Sequence, residues 1–291
     1  MKLTNKLNLP QPIVDAVAGH DYVGGGSDTI SVTTLIDSPL IARLKRDHWD
    51  EIEEDASDRI YALMGSAIHG ILEKADKMAI TEKRLTIEVN GVKVSGQLDR
   101  LALISNDGGI TGCLQDYKVA SIWEAIYGLK ADRERQLNVY MYLLNQHGYK
   151  VSKMQVVMIF RDWMKSRAIN DPSYPQEQVA VIDVPIWPED KQLAYIKSRI
   201  VIHKSKDTPQ CTEEERWQSK EKYAVMKTGR KSALRLLPTL EDAERWMIEN
   251  VKPEDEKKCS IVRRPGVAKR CTMYCIVNKF CPYFVPDNEE E

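Results

Sequence analysis

A change of hydrophobic period near Thr81 constrains the fold of this chain more than any other feature. Upstream, Ile60, Leu63, Met64, Ala67, Ile68, Ile71 and Leu72 recur at spacings of three and four. That pattern predicts an amphipathic helix with those residues turned to a core, and Ser57 is placed to cap it. Downstream the period falls to two. Residues 85–89 and 92–96 flank Asn90-Gly91, a pair that accepts the positive φ angles of a two-residue hairpin turn. Further strands are predicted at 98–104, 110–117, 154–160 and 179–184, with Asp107-Gly108-Gly109 turning the chain between the first two. Helices are predicted at 123–130, 132–146 and from Pro188 to about 204. Strands alternating with helices give an α/β class: a central mixed β-sheet flanked by helices.

The ends read differently. Residues 1–30, which include Gly24-Gly25-Gly26, have few periodic apolar positions and read as a loose N-terminal arm. The segment from Ser31 starts extended, turns at Ser38-Pro39 and becomes helical, opening a core domain over 31–207. Residues 208–291 read as a small α+β module. It has a hairpin around a Thr228-Gly229 turn, a helix capped by Thr239 with Asp242 three positions on, a strand at 260–263 and a cysteine-rich tail. The extreme C-terminus, Glu289 to Glu291, is acidic.

Lys and Arg total 42 against 43 Asp and Glu, so the chain is no bulk polycation, and any contact with a polyanion must come from a local basic surface. No apolar run is long enough to cross a bilayer, and the first residues lack a signal-peptide pattern. The expectation is a cytoplasmic protein without membrane contact. In that reducing compartment the six cysteines serve as metal or cluster ligands, or as core residues, rather than disulfides.

Three short segments carry chemistry. Gly65-x-x-x-His69-x-x-x-Glu73 sets His69 and Glu73 on one side of the predicted helix. Gly96-Gln97-Leu98-Asp99 follows the hairpin, and Asp116-Tyr117-Lys118 ends the next strand. Strand alternation points Lys118 to the same face as Asp116. Two carboxylates, an imidazole and waters form a hard, oxygen-rich site suited to Mg²⁺ or Mn²⁺. Each segment alone is weak, because charged pairs end many strands and a lone histidine is usually half-buried and satisfied.

In order and spacing, the set resembles the PD-(D/E)xK nuclease superfamily, in particular its RecB-like branch. Gln136-Leu137-Asn138-Val139-Tyr140 supplies that branch's further Gln-x-x-x-Tyr motif, and the likeness spans roughly residues 31–160. The resemblance implies that His69, Asp99 and Asp116 bind metal, with the Tyr117 carbonyl completing the shell. It makes Lys118 the catalytic base or water-positioner. Glu73 would tune the site or bind a second ion, and Gln136 and Tyr140 would contact DNA or brace the lysine. Asp116 stands where glutamate is commoner in the family.

Cys271-x-x-x-Cys275-x5-Cys281-Pro282 clusters near the C-terminus, with Cys211 about sixty residues earlier. Four thiolates can hold zinc or an iron–sulfur cluster. Without a Cys-x-x-Cys pair, the spacing is closer to a 4Fe–4S arrangement, with zinc as the alternative. RecB-like exonucleases of CRISPR spacer acquisition and their phage-encoded relatives have one distant cysteine and three near the C-terminus. The stretch 211–217 and Arg264-Pro265-Gly266 also resemble the phage relatives. In the CRISPR-associated members the lone cysteine precedes the nuclease motifs; here nothing precedes Cys113, which favours the phage-type branch. Cys113 reads as a core residue, and Cys259 could replace Cys211 as the fourth ligand.

The resemblance implies a metal-dependent DNA exonuclease acting on single strands or ends in recombination, repair or replication, in a bacterial or phage-infected cell. Its partners would be DNA and the proteins of recombination or replication. The competing expectation is a DNA-binding or adaptor subunit of a helicase complex that does not cut, and RNA is a further possible substrate. Basic stretches at Arg263-Arg264, Lys269-Arg270, 227–235 and Arg133/Arg135 are candidate phosphate contacts, and Trp163, Trp217 and Trp246 are candidate stacking platforms.

Overall fold

The computed structural model describes residues 1–19, 28–106 and 109–285. It divides into two compact units, Met1–Pro209 and Gln210–Glu291. The Gly24–Gly26 run, most of the 107–109 turn and the acidic end lie outside the described residues.

In the first unit, β1 (Lys2–Thr4) and α1 (Gln11–Ala18) precede β2 (Thr29–Ser31), α2 (Val32–Ile36), α3 (Pro39–Asp47) and β3 (Glu53–Asp55). The first residues are therefore not a loose arm. β1 pairs in parallel with β3, and Val17 of α1 is buried. What fixes them is non-local: the Asp55 carboxylate accepts from Thr4 Oγ1 and from the Lys6 backbone N–H, both at 2.8 Å, a contact that no local periodicity shows. The extended chain ends at Ser31 rather than running on from it; the Ser31 hydroxyl accepts from the Thr34 N–H and caps α2. Ser38 caps α3 in the same way, with Pro39 in the first turn.

Next come α4 (Ile60–Ala75), β4 (Ile80–Val89), β5 (Val92–Asn106), β6 (Gly109–Ala120), α5 (Trp123–Tyr127), α6 (Ala131–Gln146) and β7 (Val151–Phe160). The unit closes with α7 (Lys165–Asn170), β8 (Val179–Asp183) and α8 (Glu189–Lys204). Asn90 and Gly91 take φ of 52° and 74° and turn β4 into β5, as the sequence predicts. The two predicted strands 92–96 and 98–104 are one continuous strand, because β4 pairs β5 from Val92 to Leu101. Among the described residues, six strands form a mixed sheet. Its order is β2-β5-β6-β7-β8, with β4 on β5; β2/β5 and β6/β7 are parallel and the other pairs antiparallel.

Helix α6 is the centre of the core. Every residue from Gln136 to Leu144 is buried, and the helix meets α2, α8 and strands β4 to β7. Such a helix is enclosed on all sides rather than two-faced. Helix α4 departs from expectation: none of its residues is fully buried, and Tyr61 and Ile71 are each 65% exposed. Periodicity reports that a face is apolar, not that anything covers it. Nor does Ser57 cap α4. Asp55 accepts from the Ser57 N–H to cap a short 3-10 turn over Ala56–Arg59, and α4 continues from it.

In the second unit, β9 (Lys222–Lys227) lies between β10 (Arg235–Leu237) and β11 (Cys259–Arg264), antiparallel to both. Helix α9 (Leu240–Asn250) is capped by Thr239, whose hydroxyl accepts from the Asp242 N–H, and α10 (Lys269–Met273) carries Cys271. Among the described residues no helix is long and apolar enough to cross a membrane.

Candidate metal centre

Strands β5 and β6 are in register from Asn106↔Gly109 to Arg100↔Gln115 and then part. Beyond that point β6 runs on beside β7, while β2 takes the place next to β5 along Lys93–Ser95. Asp99 and Asp116 are the first residues past the last pair, so both carboxylates stand in the fork. Separation of the strands releases the Tyr117 N–H from the ladder, and it donates instead to Asp99 Oδ2 at 2.7 Å.

Helix α4 meets β5 and β6 and brings His69 to the fork. Its Nε2 is 3.1 Å from the Tyr117 carbonyl oxygen, and Nδ1 lies 3.5 Å from Asp99 Oδ1 and 3.6 Å from Glu82 Oε1. Lys118 Nζ donates to Asp116 Oδ1 at 2.6 Å. Asp116 is 3% exposed, and its Oδ2 is buried without a hydrogen-bond partner. Gln136 and Tyr140 of α6 are buried and hydrogen-bonded to each other. The Tyr140 phenol is pushed up first by burial, with the Asp116 and Asp99 charges adding to it.

Among the described residues, His69, Glu82 and Asp99 form the group whose ligand atoms lie close enough together to share one ion, all within 4.8 Å. Of the sequence candidates, His69, Asp99 and the Tyr117 carbonyl are brought together, and Asp116 adjoins them on the Lys118 side. Glu73 is exposed on α4 and is not in the group. Glu82, which the motif reading passed over, occupies the place expected of Glu73. Its signal was present in the hairpin: with Val89 opposite Val92, counting back along the register sets Glu82 opposite Asp99. The 82/99 pair is missing from the ladder, and Glu82 has φ of 46°, rare for a residue with a side chain. Gln97 Nε2 donates to Glu82 Oε2 at 2.7 Å and holds the carboxylate at the site.

These donors fit a hard divalent cation. Two or three carboxylates, an imidazole and a carbonyl match the preference of Mg²⁺ and Mn²⁺. Among the described residues, the buried Asp116 Oδ2 has no hydrogen-bond partner and is open to a cation. Burial, and then the neighbouring Asp116 charge, push Asp99 up to about 6; Lys118, His69 and the Tyr117 N–H pull the other way. The pH dependence follows. Between pH 3.8 and about 6 the metal-free native state keeps a proton that the unfolded chain releases. Stability therefore falls as pH rises through that window, and the penalty is complete above it. Asp99→Asn is expected to remove the penalty, making the metal-free protein more stable than wild type at pH 7 by up to ~3 kcal/mol. Denaturant melts at pH 4 and pH 7 measure it, and an equal pH response in both proteins would contradict it.

Gly96 keeps this geometry close. A Cβ there would lie 2.4 Å from Tyr140 Cε1 and 2.7 Å from Val32 Cγ2. Gly96→Ala is expected to cost about 1–3 kcal/mol by overpacking and to displace the Tyr140 ring. Urea denaturation checks the cost, and unchanged stability would show that the ring yields freely.

Several basic residues singled out in the sequence are paired within the protein. Arg133 meets Glu124, Arg135 meets Asp132 and Arg263 meets Glu221. Trp163 donates its indole N–H to the Pro175 carbonyl, and Trp217 has Tyr274 and Arg270 against its ring. In the second unit, burial and then the neighbouring Cys281 raise the Cys271 thiol. Cys275 is raised mainly by burial, with Cys271 and Cys281 adding to it. The three thiols are thus neighbours, but the cysteines do not form a group close enough to share a single ion. Cys113 is a buried residue of β6, as expected.

No family model and no curated protein matches the chain. Among solved structures it is similar to the crystal structure of SSO0001, at 20% identity and a TM-score of 0.48, over 71% of this chain and 89% of that one. The functional reading therefore rests on the residues of the site itself.

Proposed function

We propose that this chain is a divalent-metal-dependent deoxyribonuclease of the RecB-like PD-(D/E)xK kind. The observation that carries it is the convergence of His69, Asp99 and Glu82 in the strand fork beside a buried Asp116–Lys118 pair. His69, Asp99, Asp116 and the Tyr117 carbonyl would hold Mg²⁺ or Mn²⁺, with Glu82 as a further carboxylate on the His69 side. Bound there, the ion would polarise the scissile phosphate and lower the pKa of an attacking water.

The chain's own groups do the rest. Lys118 holds an ammonium where charge builds on the phosphate oxygens, and its tie to Asp116 fixes it in place. The Tyr117 N–H orients Asp99, leaving Oδ1 directed toward His69. Gln136 and Tyr140 wall the site from behind and exclude water from the carboxylates.

The same reading extends to the second unit, where Cys211, Cys271, Cys275 and Cys281 would carry a 4Fe–4S cluster. Burial and then Cys281 raise the Cys271 thiol, and burial chiefly raises Cys275; a bound metal would hold both as thiolates. The cluster would staple a tail with little apolar content.

The test is a comparison of end-labelled single-stranded DNA, duplex DNA and RNA incubated with the purified full chain and Mn²⁺. Metal-dependent shortening of DNA, fastest on single strands or ends, is the expected result. Tight DNA binding without cleavage would make the chain an adaptor, and preferential loss of RNA would reassign the substrate.

A further inference from the structure

A second feature of the first unit lies away from the carboxylates. The C-terminal ends of α3 and α8 converge with β2 on an open cleft of about 820 Å³. Arg43, Lys45, Arg46, Lys204 and Lys206 line it; among the described residues Asp47 is the one lining acid, 3.9 Å from both Arg43 and Arg46. In a chain with 42 basic and 43 acidic residues, a five-to-one excess in one cleft is a local concentration of positive charge. The lining also includes Trp49, which is 41% exposed. His203 adds no charge, because burial lowers it to about 4 and its neutral Nε2–H donates to the Leu35 carbonyl at 3.2 Å.

Helix ends alone account for part of this. Lys45, Arg46 and Lys204 lie in last turns, where cations offset the helix dipole. The dipole does not explain why two helix ends about 160 residues apart meet, nor why Lys206 and an exposed indole join them. Arg43 Nη1 ties the two sides by donating to the Lys206 carbonyl at 2.9 Å.

We infer that this cleft binds the sugar–phosphate backbone of a single DNA strand, with a base stacked on Trp49, as an anchoring site separate from the metal centre. Several cations on one concave wall suit phosphates, and an aromatic face takes any base. The volume is that of a cleft for a short run of nucleotides, not a seat for a duplex. The placement suits a strand shared with the fork. Ser31 of β2 is paired with Ser95, four residues before Asp99 on the same strand, roughly 13 Å at ~3.3 Å per residue. The inference rests on the nuclease reading for its choice of DNA.

The experiment measures binding of fluorescein-labelled oligo-dT to the full chain in EDTA, by anisotropy across a salt series. The triple variant Lys45→Ala, Arg46→Ala, Lys206→Ala is expected to lower the slope of log affinity against log salt by about 2, at ~0.7 per lost phosphate contact. Trp49→Ala is expected to weaken binding about tenfold with the slope unchanged. A control lacking Lys165, Lys197 and Lys257 should keep the wild-type slope. Wild-type affinity and slope in the triple variant, with melting temperature unchanged, would overturn the cleft and leave the nuclease reading standing. Equal losses in the control would also overturn it. Failure of the wild-type protein to bind any DNA would remove both.

Discussion

Lys118→Ala is expected to lower the rate of DNA cleavage by about 10²–10⁴-fold while leaving Mn²⁺ affinity undiminished. The two readouts separate because of what Lys118 touches. Its ammonium is 2.6 Å from Asp116 Oδ1, and Asp116 Oδ2 is buried without a partner. Removing the lysine takes away the positive charge meant for the phosphate, yet it frees a carboxylate oxygen for the ion rather than removing a ligand. Lys118→Arg should not restore the rate, since a planar guanidinium, although it can pair with Asp116, does not place a compact charge where the ammonium sits. Calorimetric Mn²⁺ titration and single-turnover cleavage on the same preparations check this. If Lys118→Ala cut at the wild-type rate, Lys118 would have no part in catalysis. Loss of Mn²⁺ binding together with cleavage would mean that it organises the carboxylates instead.

The second large effect concerns the cysteines. Cys271→Ser, Cys275→Ser or Cys281→Ser is each expected to abolish the broad visible absorption of an anaerobically purified chain, and to destabilise the 210–291 unit by several kcal/mol. Cys211→Ser should behave alike, whereas Cys259→Ser should keep the colour, because Cys259 begins β11 opposite Lys227. Cys113→Ser should also keep it, since that thiol is buried in β6 of the other unit. Iron and sulfide analysis with thermal melts reads the outcome. A colourless wild-type protein holding stoichiometric zinc would replace the cluster with a single ion. A Cys259→Ser protein that alone lost its colour would exchange the fourth ligand.

Much of the fold was legible because the decisive signals were local. The Asn90-Gly91 turn set the hairpin register, Thr239 and Ser38 capped their helices, and the apolar run of β7 marked an interior strand. The candidate site was legible in part for the same reason. Asp99, Asp116 and Lys118 follow strand signals, and His69 shares a helix with Gly65. Glu82 lies in no motif and its φ of 46° departs from an ordinary strand, so only the hairpin register, which sets it opposite Asp99, points to it. Helical spacing alone points to Glu73, and it fixes a side of the helix but not which neighbours that side meets.

The remaining departures share one physical origin, contact between distant segments. β1 and β3 hold the first residues through Asp55, about fifty positions away. Exposure of the apolar residues on α4 depends on what its surroundings leave uncovered. Of the basic runs legible in sequence, Arg133, Arg135, Lys227 and Arg263 pair with acids. The unbalanced basic cleft is instead assembled from residues 43–46 and 204–206, which neither window shows alone.

The most direct test of the central claim is a metal add-back assay on end-labelled single-stranded DNA, with wild type and Asp99→Ala run side by side. The account predicts no cleavage by either protein in EDTA, and full cleavage by wild type when Mn²⁺ or Mg²⁺ is restored in excess. Asp99→Ala, although folded, should stay inactive at the same metal concentration. Cleavage by wild type in EDTA, or by Asp99→Ala at the wild-type rate, would contradict a metal centre in the β5–β6 fork.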